Sequence, residues 1–384
     1  MLESQKHLFS LEEGVHYLNC AYMSPLMKSV QEAGIQGMKG KSQPYNVSPE
    51  DFFTETNELR NEYARLIDCT DPFRIVTIPS VSYGMATVAK NMKGGKGKNI
   101  VVLAEQFPSN VYPWLKIGES KNMEVRSVKA RDNTNERGKQ WNEDVLAAID
   151  NNTVLVALPH VHWSDGTLFD LKTIRKATKE VGALLVIDGT QSVGALPFSI
   201  KEFQPDALIC AGYKWLFGPY SIGLAYFGEA FDNGEPLEEN WINRLNSEDF
   251  SGLVKYSPEY QKGSLRYEVG EHSNFILIPM MLQAIRQLNS WKIQEIQEYA
   301  KHLGNPWLEK LKEKGFEIED SKYRGSHLIG IRKLNLNVNK LQQNLKDHKI
   351  FASVRGNSVR LAINVFNEDE DLNEFVKVMG ISIS

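Results

Sequence analysis

Between residues 74 and 228 the chain alternates short apolar runs with amphipathic stretches. Ile75-Val76-Thr77-Ile78 is rich in β-branched residues and stops at Pro79, the behaviour of a buried strand. After it Val81, Met85, Val88, Ala89 and Met92 recur at helical spacing, with Ser80 or Ser82 placed to cap that helix. The rhythm continues with strands expected over 100–104, 123–128, 153–159, 184–187, 207–210 and 222–226, and helices after Pro108, near 142–149 and over 171–181. Strand-like runs that are apolar throughout and separated by helices predict a mostly parallel sheet covered on both faces. The expected fold class is α/β: a large domain with a mostly parallel seven-stranded sheet between helices.

Residues 229–262 are polar and irregular, with Asn233-Gly234 as a turn signal, and read as a long surface excursion. An apolar helix is expected over 275–288, serving either the core or a subunit contact. The pattern then changes to strands over 316–320 and 327–333, a helix over 338–348, strands over 350–355 and 358–364, and a helix over 369–379. That is a smaller α+β domain. The expected division is an N-terminal segment, 1–20, packed near the active site and small domain, a large domain, 21–262, and a small domain, 263–384.

Composition narrows the class. The 384 residues are 42% hydrophobic and 10% aromatic, enough for a large core and against disorder. With 44 Lys+Arg against 48 Asp+Glu, mixed along the chain, the net charge of −4 leaves no electrostatic footprint for nucleic acid or an anionic membrane. No apolar run approaches the ~20 residues of a membrane span. The first residues, Met1 to His7, lack the apolar core of a secretion signal, so a cytoplasmic protein is expected. Three scattered cysteines, Cys20, Cys69 and Cys210, suit neither a disulfide framework nor a Cys-based zinc site.

Two motifs resemble sites and fail. Gly94-Gly95-Lys96-Gly97-Lys98-Asn99 has Asn99 where a P-loop needs Ser or Thr, and it precedes a strand instead of joining a strand to a helix. His160 and His162 would share one face of a strand, yet Asp165 alone does not complete a ligand set, so no metal is expected.

The informative segment is 184–228. Asp188 closes an apolar strand, where open parallel sheets place their ligands, and Gln191 follows three residues on. Lys214 follows another short apolar strand and is flanked by Tyr213 and Trp215. Partial desolvation there lowers a lysine's pKa, and a neutral amine is what a Schiff base requires. A buried carboxylate suits a protonated pyridine nitrogen. On spacing alone, a helix-capping Asp188 and a solvent-facing Lys214 read equally well.

The runs Val186-Ile187-Asp188-Gly189-Thr190-Gln191-Ser192-Val193-Gly194 and Ala211-Gly212-Tyr213-Lys214-Trp215-Leu216-Phe217-Gly218-Pro219 resemble the class V aminotransferase family. These are fold-type I pyridoxal phosphate enzymes and include cysteine desulfurases, selenocysteine lyases and, more distantly, kynureninase. The resemblance extends over about residues 16–379. It implies pyridoxal 5′-phosphate as cofactor, with Lys214 as its Schiff-base (aldimine) lysine and proton shuttle. Asp188 would pair with the pyridinium nitrogen, and Gln191 would donate to the ring's phenolic oxygen. Tyr213 would reach the phosphate, as would Ser82 and the neighbouring Val81 at a helix N-terminus. Phe107, followed by Pro108 as in kynureninase-like proteins, would stack on the ring.

The resemblance further makes Arg360 the grip on the substrate α-carboxylate, a task for which a planar fork is suited. Asn19, in Tyr17-Leu18-Asn19-Cys20-Ala21, would line the substrate side. His162 and Trp163 stand before Gly166-Thr167 where desulfurases have Ser-Asn, and would shape the substrate pocket. Glu271 follows Gly270 where relatives send a Thr to the neighbouring subunit's phosphate; Ser273 or Asn274 are the replacements at hand.

Desulfurases carry a nucleophilic cysteine shortly before the arginine strand, but here Val354-Arg355-Gly356-Asn357-Ser358-Val359-Arg360 has none. The reading is an aminotransferase acting on a small amino acid or keto acid, as a homodimer. A selenocysteine-lyase-like, desulfurase-like or kynureninase-like β-cleaving lyase is the alternative, and a non-catalytic interaction protein the remote one.

Overall fold

The computed structural model describes residues 2–131, 136–334, 336–355 and 358–382. In chain order its first elements are β1 (His16–Tyr17), α1 (Lys28–Lys41), α2 (Thr54–Leu66), β2 (Ile75–Ile78), α3 (Val81–Asn91), β3 (Asn99–Leu103) and α4 (Tyr112–Lys121). Next come β4 (Glu124–Val128), α5 (Arg137–Ala147), β5 (Thr153–Pro159), α6 (Leu171–Val181), β6 (Leu184–Asp188), α7 (Ile200–Phe203), β7 (Ala207–Ala211) and β8 (Gly223–Phe227). The remainder holds α8 (Leu277–Trp291), α9 (Ile293–Glu313), β9 (Glu317–Ile318), β10 (Leu328–Arg332) and α10 (Val338–Asp347), then β11 (Ile350–Phe351), β12 (Ser353–Arg355), β13 (Ser358–Ala362) and α11 (Asp369–Ile381).

Seven strands make one sheet in the order β2-β8-β7-β6-β5-β3-β4. Only β8 runs against its neighbours, so the sheet is mostly parallel as expected. Alternate residues of each strand feed opposite apolar layers, as a period of two requires. Val101, Val156, Leu185, Ile187 and Leu208 join one layer; Ile100, Val102, Leu155, Val186 and Ile209 join the other. A third apolar cluster gathers Leu18 with residues of α9, β10, β13 and α11 around a four-stranded sheet, order β12-β13-β10-β9.

Local chemistry starts and stops the helices. Ser80 caps α3 by accepting from Tyr83 N–H at 3.2 Å, and Asp170 caps α6 through Thr173 N–H at 3.1 Å. Gly182 ends α6 in the left-handed conformation, φ +72°.

Two expectations about elements change, and a third is filled in. The strand expected over 350–355 is two: β11 pairs parallel with β1, while β12 pairs antiparallel with β13. The helix expected near 142–149 begins earlier, at Arg137, because Trp141 packs inward against His162 and Phe169. The apolar helix expected over 275–288 is α8, and it packs on α1 and α2 with Ile278, Met281, Ala284, Ile285 and Leu288 in the first apolar layer. Among the described residues no helix is long and apolar enough to cross a membrane.

Candidate active site

The carboxyl ends of β2, β3, β5, β6 and β7 meet the start of β8 around a cavity of about 250 Å³. Its wall comes from the segments that leave those strands: Pro79 to Ser82, Gln106 and Phe107, Val161 and Trp163, Asp188 to Gln191, Tyr213 and Lys214, and Tyr220 to Ile222. An open α/β sheet offers its strand-end backbone and helix N-termini there, which is why such crevices bind ligands.

Lys214 is 6% exposed and Asp188 5% exposed, and both line this cavity. Burial pulls the Lys214 amine down from 10.5 to about 8 against the pull of Asp188, and the guanidiniums of Arg360 and Arg355 push it the same way as burial. Burial raises Asp188, opposed by hydrogen bonds from Thr190 and by the Lys214 charge. The Thr190 backbone N–H donates to Asp188 Oδ1 at 3.0 Å. Lys214 and Asp188 thus act on each other through their charges while both face the cavity. Lys214 Nζ lies 5.2 Å from the Phe107 ring centre and 5.6 Å from that of Tyr213.

Gln191 is held at both ends of its amide. Nε2 donates to Ala21 O at 3.0 Å, and Oε1 accepts from Trp215 Nε1 at 2.8 Å. One Nε2 hydrogen is left for the cavity. Gly194 allows the turn that brings Trp215 this close: its φ is +96°, and a Cβ there would run into the Trp215 carbonyl oxygen. On the opposite side, Ser80 Oγ and Ser82 Oγ are 2.8 Å apart at the start of α3, where the N–H groups of Val81 and Ser82 precede the first intrahelical bond.

Trp163 closes one side. Its Nε1 donates to Glu105 O at 2.7 Å, and its ring meets Phe107 edge-on at 5.7 Å. Behind it Arg360 on β13 is 2% exposed. Arg360 Nη1 donates to Trp163 O at 2.7 Å, and Nη2 lies 3.4 Å from both Asn19 Oδ1 and Ser353 Oγ. Its Nε has no partner, and no carboxylate pairs with it among the described residues. Burial lowers Arg360 to about 10, with Arg355 adding to the effect and Tyr17 opposing it.

Lys214, Asp188, Gln191, Tyr213, Phe107, Ser82, Val81 and Trp163 thus share one cavity, while Arg360 and Asn19 are not on its wall and adjoin it through the Trp163 carbonyl that Arg360 bonds. His162 is a correction. Val161 and Trp163 reach the cavity, whereas His162 is fully buried against the Trp141 ring at 4.8 Å. Its Nδ1 lies 2.9 Å from Ser164 Oγ. His160 packs between Phe198 and Phe203, and no group of three or more metal-ligating side chains occurs among the described residues. Ser273 and Asn274 are committed within the chain: Ser273 Oγ donates to Phe52 O, and Asn274 Oδ1 accepts from Leu277 N–H at the start of α8. In the 354–360 turn, Gly356 and Asn357 lie outside the described residues.

Gln106, Thr190, Tyr220 and Ser221 also line the cavity and carry no sequence signal of comparable strength. Thr190 alone was findable, as the residue two after a strand-end Asp that turns back to bond it.

The donor set suits pyridoxal 5′-phosphate: a depressed amine for its aldehyde, a buried carboxylate for its ring nitrogen, an aromatic face for the ring and a helix N-terminus with hydroxyls for its phosphate. Comparison with known proteins agrees. The chain is 26% identical to an uncharacterized aminotransferase, YcbU, of Bacillus subtilis over 84% of this chain and 82% of that one. It is 24% identical to a kynureninase of Geobacillus thermodenitrificans over 80% and 73%. The solved cysteine desulfurase of Thermococcus onnurineus shares the fold, with a TM-score of 0.82 and 20% identity over 99% and 98%. The family model for aminotransferase class V matches residues 39–382, so the chain belongs to the class V aminotransferases and is a pyridoxal 5′-phosphate enzyme.

Proposed function

We propose that the protein is an aminotransferase that takes the amino group from a carboxylate-bearing amino acid and passes it to a keto acid. The bound cofactor supplies an aldehyde for the amine and a ring that withdraws electrons from the substrate's Cα. Lys214, pulled down to about 8, serves as the amine and moves the Cα proton. Asp188 keeps the ring nitrogen protonated, Gln191 donates to the ring oxygen, and Phe107 covers one ring face. Val81, Ser82 and Tyr213 hold the phosphate. Arg360, with Asn19 beside it, receives the substrate carboxylate. The homodimer implied by the resemblance belongs to this reading.

The observation that carries it is the sharing of one cavity by Lys214 and Asp188 with no thiol on the wall. Cys20, Cys69 and Cys210 all lie elsewhere, and Cys20 and Cys210 are fully buried. A persulfide-forming route has no nucleophile there. Phe107-Pro108 with Tyr213 supports a second reading, β-cleavage of the kynureninase kind. A panel of amino acids assayed for keto acid, pyridoxamine phosphate and released β-fragments decides between them. Pyridoxamine phosphate formation supports transamination; a β-fragment released without any keto acid requirement overturns it in favour of the lyase.

A further inference from the structure

The amide of Gln191 has a defined direction, and Trp215 sets it. An indole N–H only donates and a main-chain carbonyl only accepts. Trp215 Nε1 at 2.8 Å therefore marks one end of the amide as oxygen, and Ala21 O at 3.0 Å marks the other as nitrogen. Both side chains are buried, Trp215 to 1% and Gln191 to 3% exposure, so water does not replace either bond.

The indole is itself fixed. The His327 ring meets it edge-on, 4.7 Å between centres and perpendicular. His327 Nε2 donates to the main-chain carbonyl of Gln191 at 2.8 Å, and its Nδ1 accepts from Gln297 Nε2 at 2.8 Å. Gln297 is oriented in turn by Ser326 N–H donating to its Oε1 at 3.0 Å and by its own bond to Ala195 O. His327 is fully buried and held near 4 by burial, so it stays neutral and keeps this tautomer at physiological pH. Trp215 and His327 thus hold the side chain and the backbone of Gln191 from two parts of the chain that are far apart in sequence.

We propose that Trp215 is a positioning residue: its N–H, backed by His327, keeps the Gln191 amide turned so that its free Nε2 hydrogen faces the phenolic oxygen of the cofactor. This rests on the cofactor-binding roles given above to Gln191 and Lys214. The consequence is electronic. With the cofactor bound, Lys214 would carry a proton shared with the phenolic oxygen, and a hydrogen bond donated by Gln191 to that oxygen would drain its charge and lower the pH at which the proton leaves. Without the indole N–H, the amide keeps only its bond to Ala21 O, its buried Oε1 is left unpaired, the free Nε2 hydrogen loses its fixed aim, and the titration moves upward.

The test is a pH titration of the visible absorbance band of the cofactor-loaded protein. Trp215→Phe keeps an aromatic ring against His327 and deletes the N–H; Trp215→Met is a second deletion that fills the space flexibly. The midpoint is expected to rise by about one pH unit, the equivalent of one hydrogen bond. Gln191→Leu should produce a similar rise, and adding Trp215→Phe to Gln191→Leu should produce no more. A wild-type midpoint in the Trp215 variants while Gln191→Leu shifts it would overturn the positioning role. Additive shifts in the double variant would do the same, since the two residues would then act separately. A wild-type protein that forms no visible band with pyridoxal 5′-phosphate removes the reading beneath the proposal, a different failure seen before any variant is made.

Discussion

Arg360 Nη1 donates to the main-chain carbonyl of Trp163 at 2.7 Å, which ties the guanidinium of one sheet to the wall of a cavity formed by another. The cation is buried without a carboxylate partner among the described residues, and its Nε is unsatisfied. A buried charge left unpaired is costly, which marks this cation as a candidate to receive a ligand's carboxylate. Arg360→Ala should lower kcat/KM for amino acids by about a hundredfold or more, the loss of a charge-assisted, two-point contact. The cofactor band should persist, because Arg360 does not line the cofactor wall. Equal kcat/KM for wild type and variant would remove Arg360 from carboxylate binding.

Lys214 predicts a pH profile. With a pKa of about 8, about one-tenth of the amine is neutral at pH 7, against about one part in three thousand for an ordinary lysine. Mixing cofactor-free protein with pyridoxal 5′-phosphate should develop the visible band at a rate that rises with pH and reaches half its plateau near pH 8. Lys214→Ala should give no band, and borohydride should abolish the band of the wild type. A profile still rising steeply above pH 9 or so would mean that the amine is not desolvated in solution.

How much of this was legible along the chain depended on how local each signal is. β3, β5, β6 and β7 are buried on both faces, so they appear as unbroken apolar runs, and Asp188 and Lys214 stand out as polar residues where such runs end. The helices α1, α2 and α9 were not legible. α2 has apolar residues at Leu59, Tyr63, Ala64 and Leu66 but is otherwise polar, and α9 contains Pro306. The splitting of 350–355 depends on which partners β11 and β12 find, which no local pattern encodes. His162 was read from its bulk and its neighbours, but only the path of the chain past Val161 and Trp163 decides that it faces Trp141. The bond from Trp215 to Gln191 is likewise a tertiary contact, made across a turn at Gly194.

Cys20 is the thiol nearest in sequence to Asn19 and Ala21, both of which touch site residues, yet it is sealed. Asn364 Nδ2 lies 3.1 Å from its Sγ, and burial pushes the thiol up to about 12, against the Asn364 hydrogen bond and the Lys214 charge. So little thiolate exists at neutral pH that it makes a poor nucleophile. Cys20→Ala should keep turnover and the cofactor band, at a stability cost of about 1 kcal/mol for the small cavity. Loss of activity in this variant with the band intact, or a persulfide on Cys20 in mass spectrometry after turnover with cysteine, would restore a thiol mechanism.

Asp165 predicts how acid weakens the contact between α5 and β10. It is buried, and its Oδ2 accepts from Arg137 Nε at 3.0 Å and lies 3.4 Å from Arg332 Nη1 on β10. Burial pushes the carboxyl up, but the hydrogen bond and charge of His162 and the two guanidiniums more than reverse this, holding it well below its ordinary value. A carboxyl depressed in the folded state stabilises the protein above its unfolded pKa of about 3.9, and that contribution fades as pH falls further toward the folded value. Asp165→Asn leaves Arg137 and Arg332 without their shared partner and should cost about 3 kcal/mol at neutral pH. Denaturant midpoints for wild type and variant should therefore converge as pH drops below about 4. A gap that stays constant down to about pH 2 would mean that Asp165 titrates alike in both states, and that the Arg137–Asp165–Arg332 cluster does not link the two sheets.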